Sequence, residues 1–256
     1  MKVALTGGAT GIGAATAAAL KAKGAHVTAF DINEPTANID QWVRLDLSSM
    51  ASIKEALDNA EGPYDVLINN AGLSPRAGLA EVVLKVNYFG FAAFAEGMLG
   101  NLAKGASIVN VASRAGINWR QNIEQVKAFM ALTDQAQIAD FIRAHNIDHV
   151  RAYDLSKEAV IVWTIANTER LKNMDMRANS VSPAAVSTGI LDDFIAAFGE
   201  RATKNIARAG RAGSAEEIAD VIMFLTSPES RWLKGADISP DGGMLAMAQS
   251  DLLGLN

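Results

Sequence analysis

Short apolar runs alternate with segments of helical periodicity along almost the whole chain. The first two apolar runs are Val3 to Thr6 and His26 to Asp31, and an Ala-rich helical segment lies between them. Parallel strands need crossover connections, usually helices, so this alternation is typical of a parallel sheet. The sequence therefore predicts an α/β, doubly wound (Rossmann) fold with a seven-stranded parallel sheet. The predicted strands are 3–6, 26–31, 42–47, 65–69, 107–111, 177–181 and 237–239, and the predicted helices are 13–23, 50–60, 79–102, 153–171 and 215–225.

The segment between Ser113 and Tyr153 interrupts this alternation. A plain crossover between parallel strands needs about a dozen residues. This segment is much longer and carries two helical patterns, at approximately 122–132 and 135–144. We interpret it as a small inserted helical lobe at approximately 117–149.

The composition is that of a globular protein. Half of the 256 residues are hydrophobic and 20% are charged, which favours one domain over 1–256 and excludes a disordered chain. The net charge is −5 and the basic residues form no cluster, so no nucleic-acid partner is expected. With no Cys and three His, neither a metal site nor thiolate chemistry is expected.

The N-terminal segment favours a soluble, cytoplasmic protein. Glycines occur at Gly7 and Gly8, too early for the apolar region of a signal peptide. No uninterrupted apolar run approaches the roughly 18 residues of a membrane span. A membrane partner is therefore not expected.

A glycine-rich turn joins the first predicted strand to the first predicted helix. Its sequence is Thr6-Gly7-Gly8-Ala9-Thr10-Gly11-Ile12-Gly13. Where side chains are absent, a pyrophosphate can approach the backbone and accept hydrogen bonds from free amides at the positive end of the helix. Glycines also serve simply to tighten turns. The preceding strand, the following helix and an acid at the end of the second strand together favour a dinucleotide site.

Asp31 ends the second predicted strand. A carboxylate there accepts hydrogen bonds from the ribose hydroxyls of an adenosine and repels the phosphate that distinguishes NADP. Neither Thr10 nor Ile32 supplies a positive charge that would offset this repulsion. NAD is therefore the expected cofactor. The alternative, that Asp31 is a turn residue or a helix cap, is weakened because no obvious helix follows it.

Tyr153 and Lys157 are four residues apart in a helical pattern, so they project from the same helix face. A tyrosine acts as a base near neutral pH only if its pKa falls by roughly 3 units, or about 4 kcal/mol. An ammonium about 4 to 5 Å away supplies on the order of 3 to 4 kcal/mol at an effective dielectric constant near 20. The pair therefore fits an acid/base catalyst, although three Tyr and several Lys also produce such a spacing by chance.

Ser113 follows the fifth predicted strand, at the sheet edge where open α/β sheets bind ligands. Its hydroxyl could donate a hydrogen bond to a substrate oxygen beside Tyr153. A lone serine after a strand is more commonly a turn or cap residue. No Gly-x-Ser-x-Gly pattern indicates a Ser-His-Asp hydrolase.

Taken together, these motifs resemble the short-chain dehydrogenase/reductase family over essentially the whole chain. The matching motifs follow the family's order: Thr6 to Gly13, Asp46-Leu47, Asn69-Asn70-Ala71-Gly72, Asn87 in Val-Asn-Tyr-Phe-Gly, Ser113, Tyr153-x-x-x-Lys157 and Asn179-Ser180-Val181-Ser182-Pro183. One departure concerns the Pro-Gly of the family, which is Pro183-Ala184 here. It adds a methyl group beside the implied nicotinamide contacts.

The resemblance implies a role for each motif. Tyr153 is the implied acid/base, Lys157 lowers its pKa and holds the nicotinamide ribose, and Ser113 positions the substrate oxygen. Asn87 is implied to kink its helix and to hold a water that links Lys157 to solvent. The implied cofactor-binding residues are Gly7, Thr10, Gly11, Ile12, Gly13, Asp31, Asp46, Leu47, Asn70, Ala71, Gly72, Tyr153, Lys157, Pro183, Val186 and Thr188.

The long spacing between Ser113 and Tyr153 narrows the resemblance. The sequence resembles the branch of the family that contains coniferyl-alcohol dehydrogenase and 3α-hydroxysteroid dehydrogenase/carbonyl reductase. Members of this branch have a helical insertion before the catalytic tyrosine. In that branch the insertion obstructs the common tetramer interface. The resemblance therefore implies a homodimer that uses a different face.

The substrate is expected to lie between the loop after Gly72, the residues after Ser113, the segment after Thr188 and the lobe. The candidate contacts are Leu73, Ser74, Arg114, Trp119, Val186 and Phe194. They are mostly apolar, which is typical of a site for a sizeable aromatic or alicyclic alcohol. Arg114 could instead anchor a carboxylate or sulfonate, or it could face solvent or pair with a nearby acid.

We therefore expect an NAD-dependent oxidoreductase that transfers a hydride between nicotinamide and a small-molecule alcohol, ketone or aldehyde. A dehydratase, an epimerase or an enoyl reductase on the same fold is the first alternative. Enoyl reductases of this fold typically have a longer spacing than that from Tyr153 to Lys157. A non-catalytic dinucleotide sensor is the second alternative, but it would be expected to have lost a catalytic side chain, and all four are present.

Overall fold

The computed structural model describes residues 1–255 of the chain. The strands are β1 Lys2–Thr6, β2 His26–Asp31, β3 Gln41–Arg44, β4 Tyr64–Asn69, β5 Leu102–Val111, β6 Arg177–Val181 and β7 Asp237–Ile238. They form one parallel seven-stranded sheet in the order β3-β2-β1-β4-β5-β6-β7. The direction of the strand order reverses between β1 and β4, where a crevice opens at the carboxyl ends of the strands. The predicted fold class is confirmed.

Helices connect the strands on both faces of the sheet. They are α1 Gly11–Ala22, α2 Met50–Asp58, α3 Ala80–Leu84, α4 Phe91–Met98, α5 Ile123–Met130, α6 Ile138–Ala144, α7 His149–Ala166, α8 Thr168–Asn173, α9 Leu191–Phe198, α10 Glu200–Ala209, α11 Ala215–Thr226 and α12 Met244–Leu253. A π-helical turn, Lys85–Gly90, joins α3 to α4, and a 3-10 helix, Arg114–Arg120, follows β5.

Apolar side chains bury both faces of the sheet. On one face, the rings of Phe30 and Phe94 pack with their centroids 5.1 Å apart. On the other face, Leu5 of β1 packs with Leu20 of α1 and Ile222 of α11. A sheet that is buried on both faces is built from continuous apolar strands. This explains why short apolar runs, rather than alternating ones, predict the strands.

Helices α5 and α6 form the inserted lobe that the sequence predicts. Its residues Val126, Phe129 and Ile138 are completely buried. The ring of Phe129 packs against that of Tyr88, with the centroids 5.2 Å apart. The helical spacing of the apolar residues in this segment therefore reflects packing of the lobe against the body.

An ion pair within helix α7, between Arg151 and Glu158, is hydrogen-bonded to the lobe. The side chain of Glu158 is completely buried, and it accepts hydrogen bonds from Arg151 and Asn122 at 2.6 Å each. Arg151 also donates to the Gln125 side chain at 2.9 Å. Both carboxylate oxygens of Glu158 therefore have partners, as a buried charge requires.

The segment Ala80–Asn101 is the one stretch, within residues 1–255, that is long and apolar enough to cross a membrane by composition. More than half of it is buried inside the protein, since 56% of its most apolar window is covered. A core helix has the same composition as a membrane span. The sequence predicts one helix here, which the resemblance implies to be kinked at Asn87, and the structure has a π-helical turn at that position.

Several boundaries differ from the predicted ones. Strand β3 ends at Arg44, although Leu45 and Leu47 beyond it remain buried. Helix α7 ends at Ala166, and the rest of the predicted helix is the separate helix α8. Helices α9, α10 and α12 were not predicted. No residue of α9 or α10 is fully buried, so neither helix packs in the core.

Candidate active site

A cleft of about 840 Å³ lies at the carboxyl ends of the strands. Its walls come from the segments after β1, β2, β4, β5 and β6 and from helices α7, α9 and α10. The predicted site residues that line it are Gly7, Thr10, Gly11, Ile12, Asp31, Asp46, Leu47, Asn70, Ala71, Gly72, Leu73, Ser113, Arg114, Tyr153, Lys157, Pro183, Val186, Thr188 and Phe194. The fold therefore brings most of the predicted residues to one place.

The glycine-rich turn forms one wall of the cleft. Gly7 and Gly11 have φ angles of +71° and +55°, which side-chain-bearing residues rarely adopt. A Cβ on Gly7 would lie 2.7 Å from the Cα of Ala71. Thr10 precedes α1 without capping it by its side chain, so the first amides of the helix have no side-chain cap. This turn fits a pyrophosphate, which needs close backbone approach and free amides.

Gly13 is not among the residues that line the cleft, and its role in cofactor binding stays a prediction. A Cβ at this position would lie 1.8 Å from the carbonyl oxygen of Gly7. Gly13 is therefore required because helix α1 packs directly on the turn that precedes it.

Asp31 and Asp46 lie at the β2 and β3 end of the cleft. The carboxylate of Asp31 accepts hydrogen bonds from the backbone nitrogens of Ala9 and Asn33, both at 3.0 Å. Asp46 accepts from the backbone nitrogen and the hydroxyl of Ser48. These bonds fix the carboxylate of Asp31 beside the glycine-rich turn, where an adenosine ribose would lie.

Asn70 connects the ends of β1 and β4. Its side-chain nitrogen donates to the carbonyl oxygen of Gly7 at 2.9 Å. The hydroxyl of Thr6 accepts hydrogen bonds from the backbone nitrogens of Asn70 and Ala71, both at 3.0 Å. Asn70, Ala71 and Gly72 therefore form a rigid floor under the glycine-rich turn.

Tyr153 and Lys157 project from one face of α7 into the cleft. Helix α7 begins after Asp148, whose side chain accepts from the backbone nitrogen of Arg151 and caps the helix. The Nζ of Lys157 lies 5.8 Å from the centroid of the Tyr153 ring. It donates to the carbonyl oxygen of Val111 at 3.0 Å.

Ser113 lies beside Tyr153, and burial dominates the electrostatics of the three side chains. Burial raises the pKa of Tyr153 above its ordinary value, and a hydrogen bond with Ser113 opposes this rise. Burial lowers the pKa of Lys157 to about 8. The ammonium is therefore still the main form at pH 7, in a pocket that otherwise disfavours charge.

Asn87 lies behind the cleft rather than in its wall. It occupies the π-helical turn, where its side chain accepts from the backbone nitrogen of Leu73 at 2.7 Å and donates to the carbonyl oxygen of Leu73 at 3.0 Å. It also donates to the hydroxyl of Ser156 at 3.2 Å. The irregular turn thus links the loop after β4 to helix α7.

The segment after β6 faces the glycine-rich turn. A Cβ on Gly11 would lie 3.4 Å from the Cγ2 of Thr188, so the two segments come close across the cleft. Val186 forms a bridge with Gly213 that holds this segment in place. Ala184 does not adopt a positive φ angle, so its methyl group adds no backbone strain at this departure from the family.

Two of the predicted substrate contacts lie outside the cleft. Trp119 packs against the apolar cluster of the lobe and stacks with Arg120, whose guanidinium lies 4.2 Å from the ring centroid. Ser74 is buried and donates to Asp193 at 2.7 Å. Trp119 is held by packing and Ser74 by its hydrogen bond to Asp193, and their roles as substrate contacts stay predictions.

Arg114 lines the cleft, but its charge is already paired. It donates to Asp241 at 3.1 Å, and the two side chains are only 17% and 6% exposed. The alternative that Arg114 pairs with a nearby acid is therefore correct. The acid follows β7, far away in the sequence, so no local pattern marks it.

Four cleft residues at the end of α9, in α10 and in α12 were not predicted from the sequence. Phe198, Arg201, Asn205 and Met244 line the cleft beside the predicted Phe194. The rings of Phe194 and Phe198 lie 5.2 and 6.5 Å from that of Tyr153. The spacing of Phe194, Phe198, Arg201 and Asn205 is helical, and this signal could have identified the wall.

Within residues 1–255 no group of three or more His, Cys, Asp or Glu side chains could hold a metal ion. The polar groups in the cleft are amides, hydroxyls, one amine, two guanidiniums, and two carboxylates at the β2 and β3 end. This donor set suits a nucleotide better than a metal ion.

Two family profiles match the chain. Residues 1–125 match the short chain dehydrogenase profile, and residues 135–245 match the profile described as Enoyl-(Acyl carrier protein) reductase. Coniferyl-alcohol dehydrogenase of Pseudomonas sp. (strain HR199 / DSM 7063) is 34% identical, over 95% of this chain and 96% of its own length. The 3-alpha-hydroxysteroid dehydrogenase/carbonyl reductase of Comamonas testosteroni is 30% identical, over 96% of both chains.

A solved structure is also similar over nearly the whole chain. It is the 3-alpha-hydroxysteroid dehydrogenase of Pseudomonas sp. B-0831 complexed with NADH, at 30% identity and a TM-score of 0.85, covering 98% of this chain and 99% of the other. A doubly wound sheet with this cleft, together with these relatives, defines an oxidoreductase. The chain belongs to the short-chain dehydrogenase/reductase family, as its motifs indicate.

Proposed function

We propose that the protein is an NAD-dependent oxidoreductase that transfers a hydride between nicotinamide and the carbon of an alcohol, ketone or aldehyde. One observation carries the proposal: Ser113, Tyr153 and Lys157 line the same cleft as the glycine-rich turn and Asp31. The similarity to an alcohol dehydrogenase and to an NADH-complexed hydroxysteroid dehydrogenase supports it.

The residues present fit NAD. The positive φ angles of Gly7 and Gly11 leave room for a pyrophosphate at the start of α1. The fixed carboxylate of Asp31 would hold the adenosine ribose and disfavour an added phosphate. When bound, NAD supplies the hydride acceptor and, in its oxidised form, a positive charge at the catalytic end.

Tyr153 is the group that exchanges the proton of the substrate oxygen. In oxidation the phenolate takes the hydroxyl proton, and in reduction the phenol returns it to the oxygen. Ser113 lies within hydrogen-bonding reach of Tyr153 and would hold the same substrate oxygen. The ring of Tyr153 is 5% exposed, so this transfer takes place away from bulk water.

Lys157 provides the charge that favours the phenolate. Its Nζ lies 5.8 Å from the centroid of the Tyr153 ring, and a nearby ammonium favours the ionised form of a phenol. Burial acts in the opposite direction and raises the pKa of Tyr153. The proposed role of Lys157 is to offset part of the cost of burying the phenolate.

Asn87 is proposed to position a proton relay behind Lys157. A Cβ on Gly72 would lie 3.2 Å from the Oδ1 of Asn87 and 3.4 Å from the Nζ of Lys157. The absence of a side chain at Gly72 thus leaves a small space bordered by both polar groups. A water in this space would connect the ammonium to Asn87.

The test measures NADH formation from NAD with aromatic, alicyclic and steroid alcohols, by absorbance. We expect turnover of at least one class, and a fall of about 100- to 10,000-fold in Tyr153→Phe with NADH binding retained by fluorescence. Tyr88→Phe is the control, because Tyr88 is buried against the lobe. Activity near the wild-type level in Tyr153→Phe, or NADH binding without turnover of any alcohol, would refute the proposal.

We further propose a cytoplasmic homodimer of single-domain chains acting on a sizeable aromatic or alicyclic substrate. The aromatic rings of Phe194 and Phe198 in the cleft support this substrate class. Trp232, five positions before β7 in the chain, is 91% exposed and Phe224 is 46% exposed, and such exposed apolar side chains support contact with a second copy. Light scattering that gives a monomer or a tetramer would contradict the dimer.

A further inference from the structure

The cations around the cleft differ in their partners. Arg114 pairs with Asp241, and Lys157 donates to the carbonyl oxygen of Val111. For the guanidinium of Arg201, the part of the chain that is described contains no hydrogen-bond or ion-pair partner. Arg201 is exposed on α10 and lines the cleft. It is therefore the cleft arginine whose charge is available to a ligand.

Arg201 lies at the catalytic end of the cleft. Its positive charge lowers the pKa of Asp154, the residue that follows Tyr153, and it does so without forming an ion pair. Phe198, three residues before Arg201, has its ring 6.5 Å from that of Tyr153. The carboxylates of the cleft wall, Asp31 and Asp46, lie at the opposite end. Arg201 is thus placed to meet the substrate rather than the adenosine.

The wall between Tyr153 and Arg201 is aromatic. The rings of Phe194 and Phe198 are parallel within 3°, with their centroids 6.3 Å apart. Asn205, one helical turn beyond Arg201, also lines the cleft and offers an amide as a second donor. A ligand bound at this wall would place an apolar ring against the two phenylalanines and an anion at the guanidinium.

We propose that Arg201 binds a carboxylate of the substrate, and that the preferred substrates are hydroxy or oxo carboxylic acids with an apolar ring between the two groups. The inference rests on the proposed function, because it uses Tyr153 as the site of the reacting oxygen. Arg114 was the predicted anchor for a substrate carboxylate, but its guanidinium pairs with Asp241. The inference assigns this role to Arg201 instead.

The test compares charged and uncharged forms of one substrate. The probes are 4-(hydroxymethyl)benzoate, 4-(hydroxymethyl)phenylacetate and 3-[4-(hydroxymethyl)phenyl]propanoate, each with its methyl ester. We expect the wild type to prefer at least one acid over its ester, and the acid-to-ester ratio of kcat/KM to fall about 10- to 100-fold in Arg201→Met, mainly through KM. Lys204→Met is the matched control, since Lys204 is an exposed cation of α10 that pairs with Glu200 and should leave the ratio unchanged.

The other outcomes overturn the inference in distinguishable ways. Equal kcat/KM for acids and esters in the wild type would show that no carboxylate is recognised. An equal loss for acid and ester in Arg201→Met would show that Arg201 only supports α10. A weaker affinity for NADH in Arg201→Met, measured by fluorescence, would assign Arg201 to the cofactor. Turnover of neither acids nor esters, nor of any other alcohol, would instead refute the proposed function itself.

Discussion

The ammonium of Lys157 donates a hydrogen bond to the carbonyl oxygen of Val111, 3.0 Å away at the end of β5. Both groups are buried, so the helix that carries Tyr153 is joined to the central sheet through a charged hydrogen bond. The cost of burying the charge remains, because burial lowers the pKa of Lys157 to about 8. The ammonium of Lys157 is therefore held in the cleft at a cost in folding stability.

This relationship predicts that Lys157→Met inactivates the protein and stabilises it. The lysine loses its proton near pH 8 in the folded chain but only near pH 10.5 in the unfolded chain. The charged lysine therefore destabilises the folded state fully below pH 8, and this destabilisation disappears as the pH rises to about 10.5. We expect a gain on the order of 1 to 3 kcal/mol at pH 7, and a smaller gain at pH 9.5. Urea denaturation at both pH values measures the difference.

Lys127→Met is the control for this substitution. Lys127 is an exposed residue of the lobe, 61% exposed in its side chain, and pairs with Glu124. Its removal should change the free energy of unfolding little at either pH. A destabilised Lys157→Met variant at pH 7 would show that the hydrogen bond to Val111 outweighs the cost of burial.

Asp31 predicts the choice between NAD and NADP. Replacement by serine removes the negative charge beside the glycine-rich turn, so Asp31→Ser should shift the ratio of kcat/KM for NADP over NAD upward by about 10- to 100-fold. Steady-state kinetics with both cofactors and one alcohol measures the ratio. Glu34→Ser, at an exposed position outside the cleft wall, should not shift it. An unchanged ratio in Asp31→Ser would place the ribose elsewhere.

The π-helical turn predicts a structural role for Asn87 in addition to its proposed relay. Three hydrogen bonds, two with the backbone of Leu73 and one with Ser156, are lost in Asn87→Ala. We expect a destabilisation of about 2 to 4 kcal/mol by urea denaturation and a loss of activity. Equal stability of wild type and Asn87→Ala would contradict this role.

Asp154 predicts that stability depends on pH. Burial raises the pKa of its carboxyl to about 7, against the opposing effects of Arg151 and Arg201, and its Oδ1 is buried without a hydrogen-bond partner. The folded chain thus holds a proton between about pH 4 and 7 that the unfolded chain has released, so this group lowers stability as the pH rises through that window.

Asp154→Asn should remove this dependence. Relative to the wild type, we expect the variant to gain on the order of 1 to 3 kcal/mol in free energy of unfolding between pH 5 and pH 8. Urea denaturation at the two pH values measures it. Asp140→Asn, in an exposed ion pair of the lobe, is the control and should show no such change. Parallel stabilities of wild type and Asp154→Asn across this range would refute the prediction.

Local patterns were enough for the sheet and for much of the cleft. Apolar runs separated by helical segments predict the strands because both sheet faces are buried, whereas the strand order was seen only in the structure. The glycine-rich turn, Asp31 and the four-residue spacing from Tyr153 to Lys157 each lie within a single strand-turn-helix unit or helix turn. Their geometry is set by the backbone within a few residues, so the sequence alone predicts where their side chains point.

Contacts between distant segments settled the rest. Arg114 and Asp241 are 127 positions apart, and only the folded chain shows that this pair neutralises one arginine while Arg201 keeps its charge available. Trp119 packs against the lobe, and Gly13 allows helix α1 to pack on the turn before it. The π-helical turn contains Asn87, which is hydrogen-bonded to Leu73 and Ser156. Periodicity records which face of a segment is buried, whereas the identity of the group that it meets depends on packing across the whole chain.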